Sequence, residues 1–221
     1  MPLSTTPDLT ALTAAGFRAL ARRALDPEPR LLPTDVPSRG PSDSDLSPEP
    51  YAEVAPVTER PAAVLVPVVA RQELTFLLTL RTDHLPAHAG QIAFPGGKVE
   101  EHDSGPAATA LREAAEEIGL DRELVEPLGF LDYYRTGTGY CIAPLVALVD
   151  PDYSLTLNTE EVVDAFEIPL PFLMDTRNHR IHVRTIGGRE RRFYAMPYGE
   201  RFIWGATAGI LRTLHERLFG S

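Results

Sequence analysis

Three glutamates, Glu113, Glu116 and Glu117, crowd a short stretch of the segment Ala107-Ala108-Thr109-Ala110-Leu111-Arg112-Glu113-Ala114-Ala115-Glu116-Glu117-Ile118-Gly119-Leu120. Placed on a helix, Leu111, Ala114, Ala115 and Ile118 share an apolar side, and the three carboxylates cluster near the opposite side. Like charges at this spacing repel by roughly 0.2–0.5 kcal/mol per pair. A divalent cation would turn that repulsion into ligation. Mg²⁺ and Mn²⁺ prefer hard oxygen ligands and keep several waters, so they suit a substrate whose own donors are phosphate oxygens. Taken alone, the helix also fits a solvated acidic face.

The approach to the helix favours the chemical reading. Phe94-Pro95-Gly96-Gly97-Lys98 reads as the end of a strand and a sharp turn, where two glycines let backbone groups come close to a ligand. Lys98 adds a positive charge there, and Glu100, Glu101 and Asp103 add carboxylates. Asp103 or Ser104 is the expected N-cap, Pro106 is tolerated in the first turn, and Gly119 suits the C-terminal end. His84 and His88 lack an HExxH pattern and have Pro86 between them, so a loop or substrate contact is expected rather than a zinc site. Tyr133, Tyr134 and Tyr140 could reach a base or a flexible arm of a substrate, or pack in the core.

These residues need a scaffold, and the apolar patterning supplies one. A helix is expected over Asp8 to Ala24, followed by a proline-rich arm from Asp26 to Ala52 that can sustain neither helix nor central strand. Strands are expected at Ala62 to Val69 and Glu73 to Leu80, joined around Ala70-Arg71-Gln72, and at Ile92 to Phe94, Leu124 to Tyr133 and Tyr140 to Val149. Val162 to Ile168 fits a short helix or a strand. Ile181 to Thr185 and Arg192 to Ala195 suggest a hairpin through Gly187-Gly188. Helices at Gly105 to Ile118 and Gly205 to Leu218 complete an α/β arrangement, a mixed β-sheet sandwiched between α-helices. The expected division is an N-terminal helix and Pro/Ser-rich arm over 1–52 and a catalytic domain over 53–221.

Composition narrows the partners. The 221 residues carry 31 acidic and 21 basic side chains, a formal charge of −10, which offers nucleic acid little general attraction. Small phosphorylated substrates remain compatible, because a bound cation inverts the local field. Cys141 is the single cysteine, which rules out an internal disulfide and a thiolate metal cluster; its apolar neighbours mark it as a core residue. No signal peptide is evident and no run reaches the roughly 20 apolar residues of a membrane span, so a cytoplasmic protein without membrane association is expected. The sequence allows a homodimer.

The residues around the acidic helix resemble the Nudix hydrolase family. Its box runs Gly, five residues, Glu, seven residues, then Arg-Glu-aliphatic-any-Glu-Glu-any-Gly-aliphatic; here Gly97 and five residues lead to Asp103, and eight more lead to Arg112-Glu113-Ala114-Ala115-Glu116-Glu117-Ile118-Gly119-Leu120. The extra residue and the Asp are similar to the coenzyme A pyrophosphatase branch. So is the upstream run from Leu77-Leu78-Thr79-Leu80-Arg81 through Gly90-Gln91-Ile92-Ala93-Phe94-Pro95-Gly96-Gly97, although Pro86 stands where that branch carries Arg. The resemblance extends from about Arg60 to Leu214, through Asn158-Thr159-Glu160-Glu161-Val162 and Ile203-Trp204-Gly205-Ala206-Thr207-Ala208.

The resemblance implies a Nudix fold and a hydrolase that uses Mg²⁺ or Mn²⁺ to cleave a small-molecule diphosphate, with coenzyme A or a derivative as substrate. It implies Glu113, Glu116, Glu117 and the Gly97 carbonyl as metal ligands, with Arg112 orienting the glutamates. The catalytic base would be a box glutamate or a later carboxylate, Glu161 ahead of Glu160 and Glu167. Arg81, His88, Gln91 and Lys98 are the implied substrate contacts. Two rival functions remain: hydrolysis of ADP-ribose or another nucleoside diphosphate derivative, and a Nudix-fold module that binds without catalysis.

Overall fold

Runs of β-branched and small apolar residues build the centre of the molecule, in a computed structural model that describes residues 9–29, 41–42, 46, 60–84, 89–186 and 189–220. The proline-rich arm therefore lies mostly outside the described residues, as do Pro86, His88 and the Gly187-Gly188 turn. Strands β1 (Arg60–Val69), β2 (Thr75–Arg81), β3 (Ile92–Ala93), β4 (Gly96–Lys98), β5 (Val125–Phe130), β6 (Tyr134–Arg135), β7 (Tyr140–Val149) and β8 (Val162–Pro169) form one eight-stranded mixed sheet. Its main path is β3-β2-β1-β7-β5, with β4 on β1, β6 on β7 and β8 on β2. β1 and β7 run parallel from Arg60↔Tyr140 to Val69↔Val149, and the other pairs are antiparallel.

Both faces of this sheet are covered, which explains why β1 and β7 read as nearly continuous apolar runs. Helix α2 (Pro106–Ile118) lies on one face, where Ala110, Ala114 and Ile118 pack with Ala63, Leu65, Leu77, Ala143 and Leu145. The opposite face carries α1 (Ala14–Ala24), α3 (Leu170–Met174) and α4 (Ala206–Phe219); Phe17, Ala21, Leu173, Leu211 and Leu214 pack there with Val66, Val68, Phe76 and Leu78. Adjacent residues of β1 and β2 thus serve different cores, as the alternation of a strand requires. A second, three-stranded antiparallel sheet, β9 (Arg180–Ile186), β10 (Arg189–Tyr198) and β11 (Arg201–Trp204), is joined in the order β11-β10-β9.

Several expectations need correction. The expected helix over Asp8 to Ala24 is a 3₁₀ turn, Leu9–Ala11, followed by α1, because the Thr13 side chain accepts from the Gly16 N–H and caps a new start. Gly96 and Gly97 belong to a strand, not a sharp turn: they pair with Val64 and Ala63 of β1. Of the two readings left open for Val162 to Ile168 the strand is the one observed, as Val162–Pro169, but Pro169 and Pro171 open α3 rather than only ending what precedes them. Neither Asp103 nor Ser104 caps α2; Gly105 holds that position without a side-chain hydrogen bond. Gly119 does adopt the left-handed conformation at the C-terminal end, with φ of 67°.

Candidate active site

The packing of α2 fixes the environment of each glutamate. The buried side of this helix is turned from the purely apolar stripe toward Glu117: Ala115 is exposed, whereas the Glu117 side chain is only 1% exposed. This corrects the expectation that all three carboxylates stand opposite the core. Glu113 is half-buried, and Glu116 faces solvent with its side chain 57% exposed. One acidic triplet therefore spans three degrees of hydration.

Glu117 is held by two groups distant in sequence. Arg81 Nη1 at the end of β2 donates to its Oε1 at 2.9 Å, and the Gly96 N–H donates to its Oε2 at 3.3 Å. Burial pushes its pKa up to about 7, against the lowering effect of the Arg81 charge and the Gly96 hydrogen bond. Burial also raises Glu113, with Arg112 opposing.

Arg112 organises the other side. Its Nε and Nη2 donate to Asp103 Oδ1 and Oδ2, each at 3.0 Å, in a fork. Its Nη1 donates to Glu113 Oε1 at 3.0 Å and to Glu116 Oε2 at 2.8 Å, and Nη2 also reaches the Lys98 carbonyl at 3.2 Å. Asp103, 3% exposed, further accepts from the Glu100 N–H and the Thr109 hydroxyl. The Arg112 fork, with that N–H and hydroxyl, holds Asp103 well below the usual carboxylate range. Asp103 is thus the anchor of Arg112, a role that its place in the box suggested only as a departure from Glu.

Gly97 lies directly against this assembly. A Cβ there would overlap the Glu113 carboxylate, whereas a Cβ on Gly96 would strike β1 backbone, with Val64 Cα at 2.7 Å. The later loop is docked by backbone bonds: the Asn158 N–H donates to the Glu117 carbonyl, and the Glu161 and Val162 N–H groups to the Asn158 carbonyl. The Asn158 side-chain amide reaches Glu161 Oε1 at 3.3 Å, and Glu161 Oε2 lies 4.0 Å from Arg81 Nη2. The Glu161 charge also acts on Glu113. Arg81, Glu113, Glu117 and Glu161 therefore meet at one place, with Gly97 and Arg112 beside them. Asn158, which positions Glu161, was legible only through its place in the matched Asn158…Glu161 segment.

The other candidates make contacts of a different kind. Lys98 is exposed, and its backbone carbonyl rather than its amine contacts Arg112. The Gln91 carbonyl accepts from the Arg81 N–H, which ties β3 to the end of β2. Cys141 is buried, as expected. Tyr134 packs against Gly209 of α4, and Tyr140 lies under the Arg60 guanidinium, 4.1 Å from its ring centre.

Glu167 is tied down elsewhere, by Arg71 at 2.7 Å, Tyr153 at 2.6 Å and the Thr75 hydroxyl. Burial acts to raise its pKa, but these hydrogen bonds keep it below the ordinary value. It joins β8 to β2 and to the loop after β7. Glu167→Gln is expected to lower stability by roughly 1.5–3 kcal/mol, the range for hydrogen bonds to a charged group, and to change kcat by less than about threefold. Urea denaturation together with steady-state kinetics checks both halves.

Carboxylate oxygens are the type of donor that a hard divalent cation takes. Two desolvated carboxylates, Glu113 and Glu117, carry raised pKa values that a neighbouring cation would lower again, and the bare Cα of Gly97 lets the Glu113 carboxylate lie directly against β4. Among the described residues no three His, Cys, Asp or Glu side chains are grouped to hold one ion. Guanidinium groups take up their oxygens instead: Arg112 binds Glu113 and Glu116, and Arg81 binds Glu117.

The raised Glu117 pKa has a measurable consequence for metal-free protein. A carboxylate whose folded pKa lies above its unfolded value contributes stability that is complete below the unfolded pKa, near 4.5, and is lost as pH rises through about 7. Between about pH 5 and pH 8, the Tm of the wild type should fall by several degrees relative to Glu117→Gln. A Tm difference that stays constant over that interval would contradict the assignment of this pKa.

Residues 59–182 match the NUDIX domain family. The chain is 43% identical over 162 residues to NudL, an uncharacterized Nudix hydrolase of Yersinia pestis (strain Pestoides F), covering 73% of this chain and 81% of that one. The same figures hold for NudL of Yersinia pseudotuberculosis serotype O:1b (strain IP 31758). Among solved structures, the NUDIX domain of Shewanella oneidensis NrtR complexed with ADP ribose aligns with a TM-score of 0.47 and 20% identity, covering 76% of this chain and 95% of that one. RenU, a Nudix hydrolase from M. smegmatis, aligns with a TM-score of 0.46 and 17% identity, over 72% and 84% of the two chains. The chain belongs to the Nudix hydrolase family, and its mixed sheet flanked by helices is the Nudix fold. Its activity in general terms is hydrolysis of a diphosphate link in a small nucleotide-like molecule.

Proposed function

We propose that the protein hydrolyses the diphosphate of coenzyme A or a derivative, giving 3′,5′-adenosine bisphosphate and 4′-phosphopantetheine or its acylated form. The observation that carries the diphosphate chemistry is the meeting of Glu113, Glu117, Glu161 and Arg81 beside Gly97. The coenzyme A assignment rests on the run from Leu77 to Gly97 and on the Asp103 spacing of the box.

Glu113, Glu116, Glu117 and the Gly97 carbonyl would hold Mg²⁺ or Mn²⁺, which, when bound, offsets the substrate's charge and makes water more acidic. Arg112 keeps Glu113 and Glu116 oriented through its fork to Asp103. Glu161 accepts the proton of the attacking water at a carboxylate oxygen, held in reach by Asn158. Arg81 and Lys98 attract phosphate, with Gln91 and His88 as further substrate contacts. Water attacks one phosphorus, the P–O bond to the bridging oxygen breaks, and the other phosphate leaves with that oxygen. No covalent link to the protein forms.

Pro86, in place of the arginine of the coenzyme A branch, favours a second reading, in which ADP-ribose or another nucleoside diphosphate derivative is the substrate. A panel of coenzyme A, acyl-coenzyme A, ADP-ribose and dinucleoside polyphosphates, with products identified by mass, separates the two. The first reading expects coenzyme A or its derivative to lead in kcat/KM by at least about tenfold, a gap of about 1.4 kcal/mol in transition-state stabilisation. A lead for ADP-ribose establishes the second.

A further inference from the structure

The two arginines that engage the box glutamates are not equally fixed. Arg112 makes a two-pronged contact to buried Asp103, adds the Lys98 carbonyl, and spans Glu113 and Glu116. Releasing it would leave Asp103 buried without its charged partner. Among the described residues, Arg81 has one short side-chain hydrogen bond, to Glu117 Oε1, and a second carboxylate, Glu161, at 4.0 Å. Its side chain is 20% exposed and that of Glu161 40%, so neither is sealed from solvent as Glu117 is. Glu117 stays in place without Arg81 through its backbone and the Gly96 N–H on Oε2.

A guanidinium and a divalent ion cannot share the same carboxylate lone pairs at close range. We propose that Arg81 is a displaceable counter-cation: it occupies Glu117 until a divalent ion takes that carboxylate, and its guanidinium then turns toward Glu161 and the substrate's phosphates. The inference rests on the metal-dependent reading above and adds a regulatory step to it. In this proposal the divalent ion and the guanidinium repel each other at Glu117 and exclude one another there, so the apparent metal affinity is reduced by the fraction of molecules in which the pair is closed. By linkage, an anion that draws Arg81 away tightens the metal, and the metal readies Arg81 for the anion. The metal and the diphosphate then bind with positive cooperativity.

The test is Mn²⁺ titration of the full chain without substrate, followed by electron paramagnetic resonance. Wild type, Arg81→Met, Arg81→Lys and Glu113→Gln are compared. Arg81→Met keeps the aliphatic stem and removes the charge, and its Kd for Mn²⁺ should fall at least about tenfold, as expected when a pair closed in most molecules is removed. Arg81→Lys, which keeps a cation near Glu117, should stay within about threefold of wild type. An Arg81→Met affinity equal to or weaker than wild type overturns the inference. Should Arg81→Met fail to fold by circular dichroism, a crystal structure of the wild type with Mn²⁺ decides: Arg81 withdrawn from Glu117 supports the exchange, and an intact pair overturns it. If wild type binds no Mn²⁺ and Glu113→Gln changes nothing, the metal-dependent reading itself fails. If wild type binds Mn²⁺ through Glu113 while Arg81→Met is no tighter, only the counter-cation role fails.

Discussion

Glu113→Gln should lower kcat by roughly 10²–10⁴-fold while leaving the protein as stable as the wild type or slightly more so. The loss follows from removing one anionic ligand of the cation that would offset the diphosphate charge, a contribution of several kcal/mol to the transition state. The stability half follows from burial. Glu113 is raised in pKa because its ionised form is desolvated, so a neutral isostere removes an unfavourable charge. Arg112 still keeps Asp103 and Glu116 after the change. Parallel measurement of kcat and Tm checks it. A fall in activity that matches a fall in stability would make Glu113 a structural residue, and unchanged kcat would remove it from the site.

Gly96 and Gly97 are adjacent in β4, yet alanine at each should fail in a different way. At Gly96 the new methyl group meets β1 backbone, including Val64 Cα at 2.7 Å, and backbone has little room to yield. Gly96→Ala should cost stability at the upper end of the roughly 1–3 kcal/mol typical of overpacking, a fall in Tm of about 5–10 °C. At Gly97 the obstacle is the end of the Glu113 side chain, which can swing aside. Gly97→Ala should therefore fold with a Tm near that of wild type and lose on the order of 10²-fold in kcat/KM, because the carboxylate is misplaced by about an ångström. Equal thermal losses in the two variants would show that Gly97 serves the fold alone.

What the sequence made legible follows from how local each cause is. The helix from Pro106 to Ile118 and its stop at Gly119 depend on periodicity and one left-handed residue, both visible in a short window. Strand β7 follows from a long apolar run between turn residues, and its observed bounds, Tyr140–Val149, agree with the expected ones. The burial of Glu117 was hidden because an apolar wheel assigns every glutamate to water. Its partner Arg81 lies 36 residues away, on another element. The network that holds Glu167 was hidden for the same reason: Arg71, Thr75 and Tyr153 come from separate segments. The Gly96-Gly97 pair looked like a turn because its pairing with Ala63 and Val64 is invisible locally. Motif resemblance brought Arg112, Glu113 and Glu161 into view, but neither the Asp103 anchor nor the separate restraint of Glu117 by Arg81.

The direct trial of the central claim, that α2 carboxylates hold a divalent ion against a diphosphate, is a crystal structure with Mn²⁺ and a non-hydrolysable diphosphate analogue, read by anomalous scattering. The account predicts a manganese peak within ligating distance of Glu113 and Glu117 carboxylate oxygens and in contact with the analogue's phosphates. A bound analogue with no manganese at those glutamates, in an enzyme whose turnover survives EDTA, would contradict it.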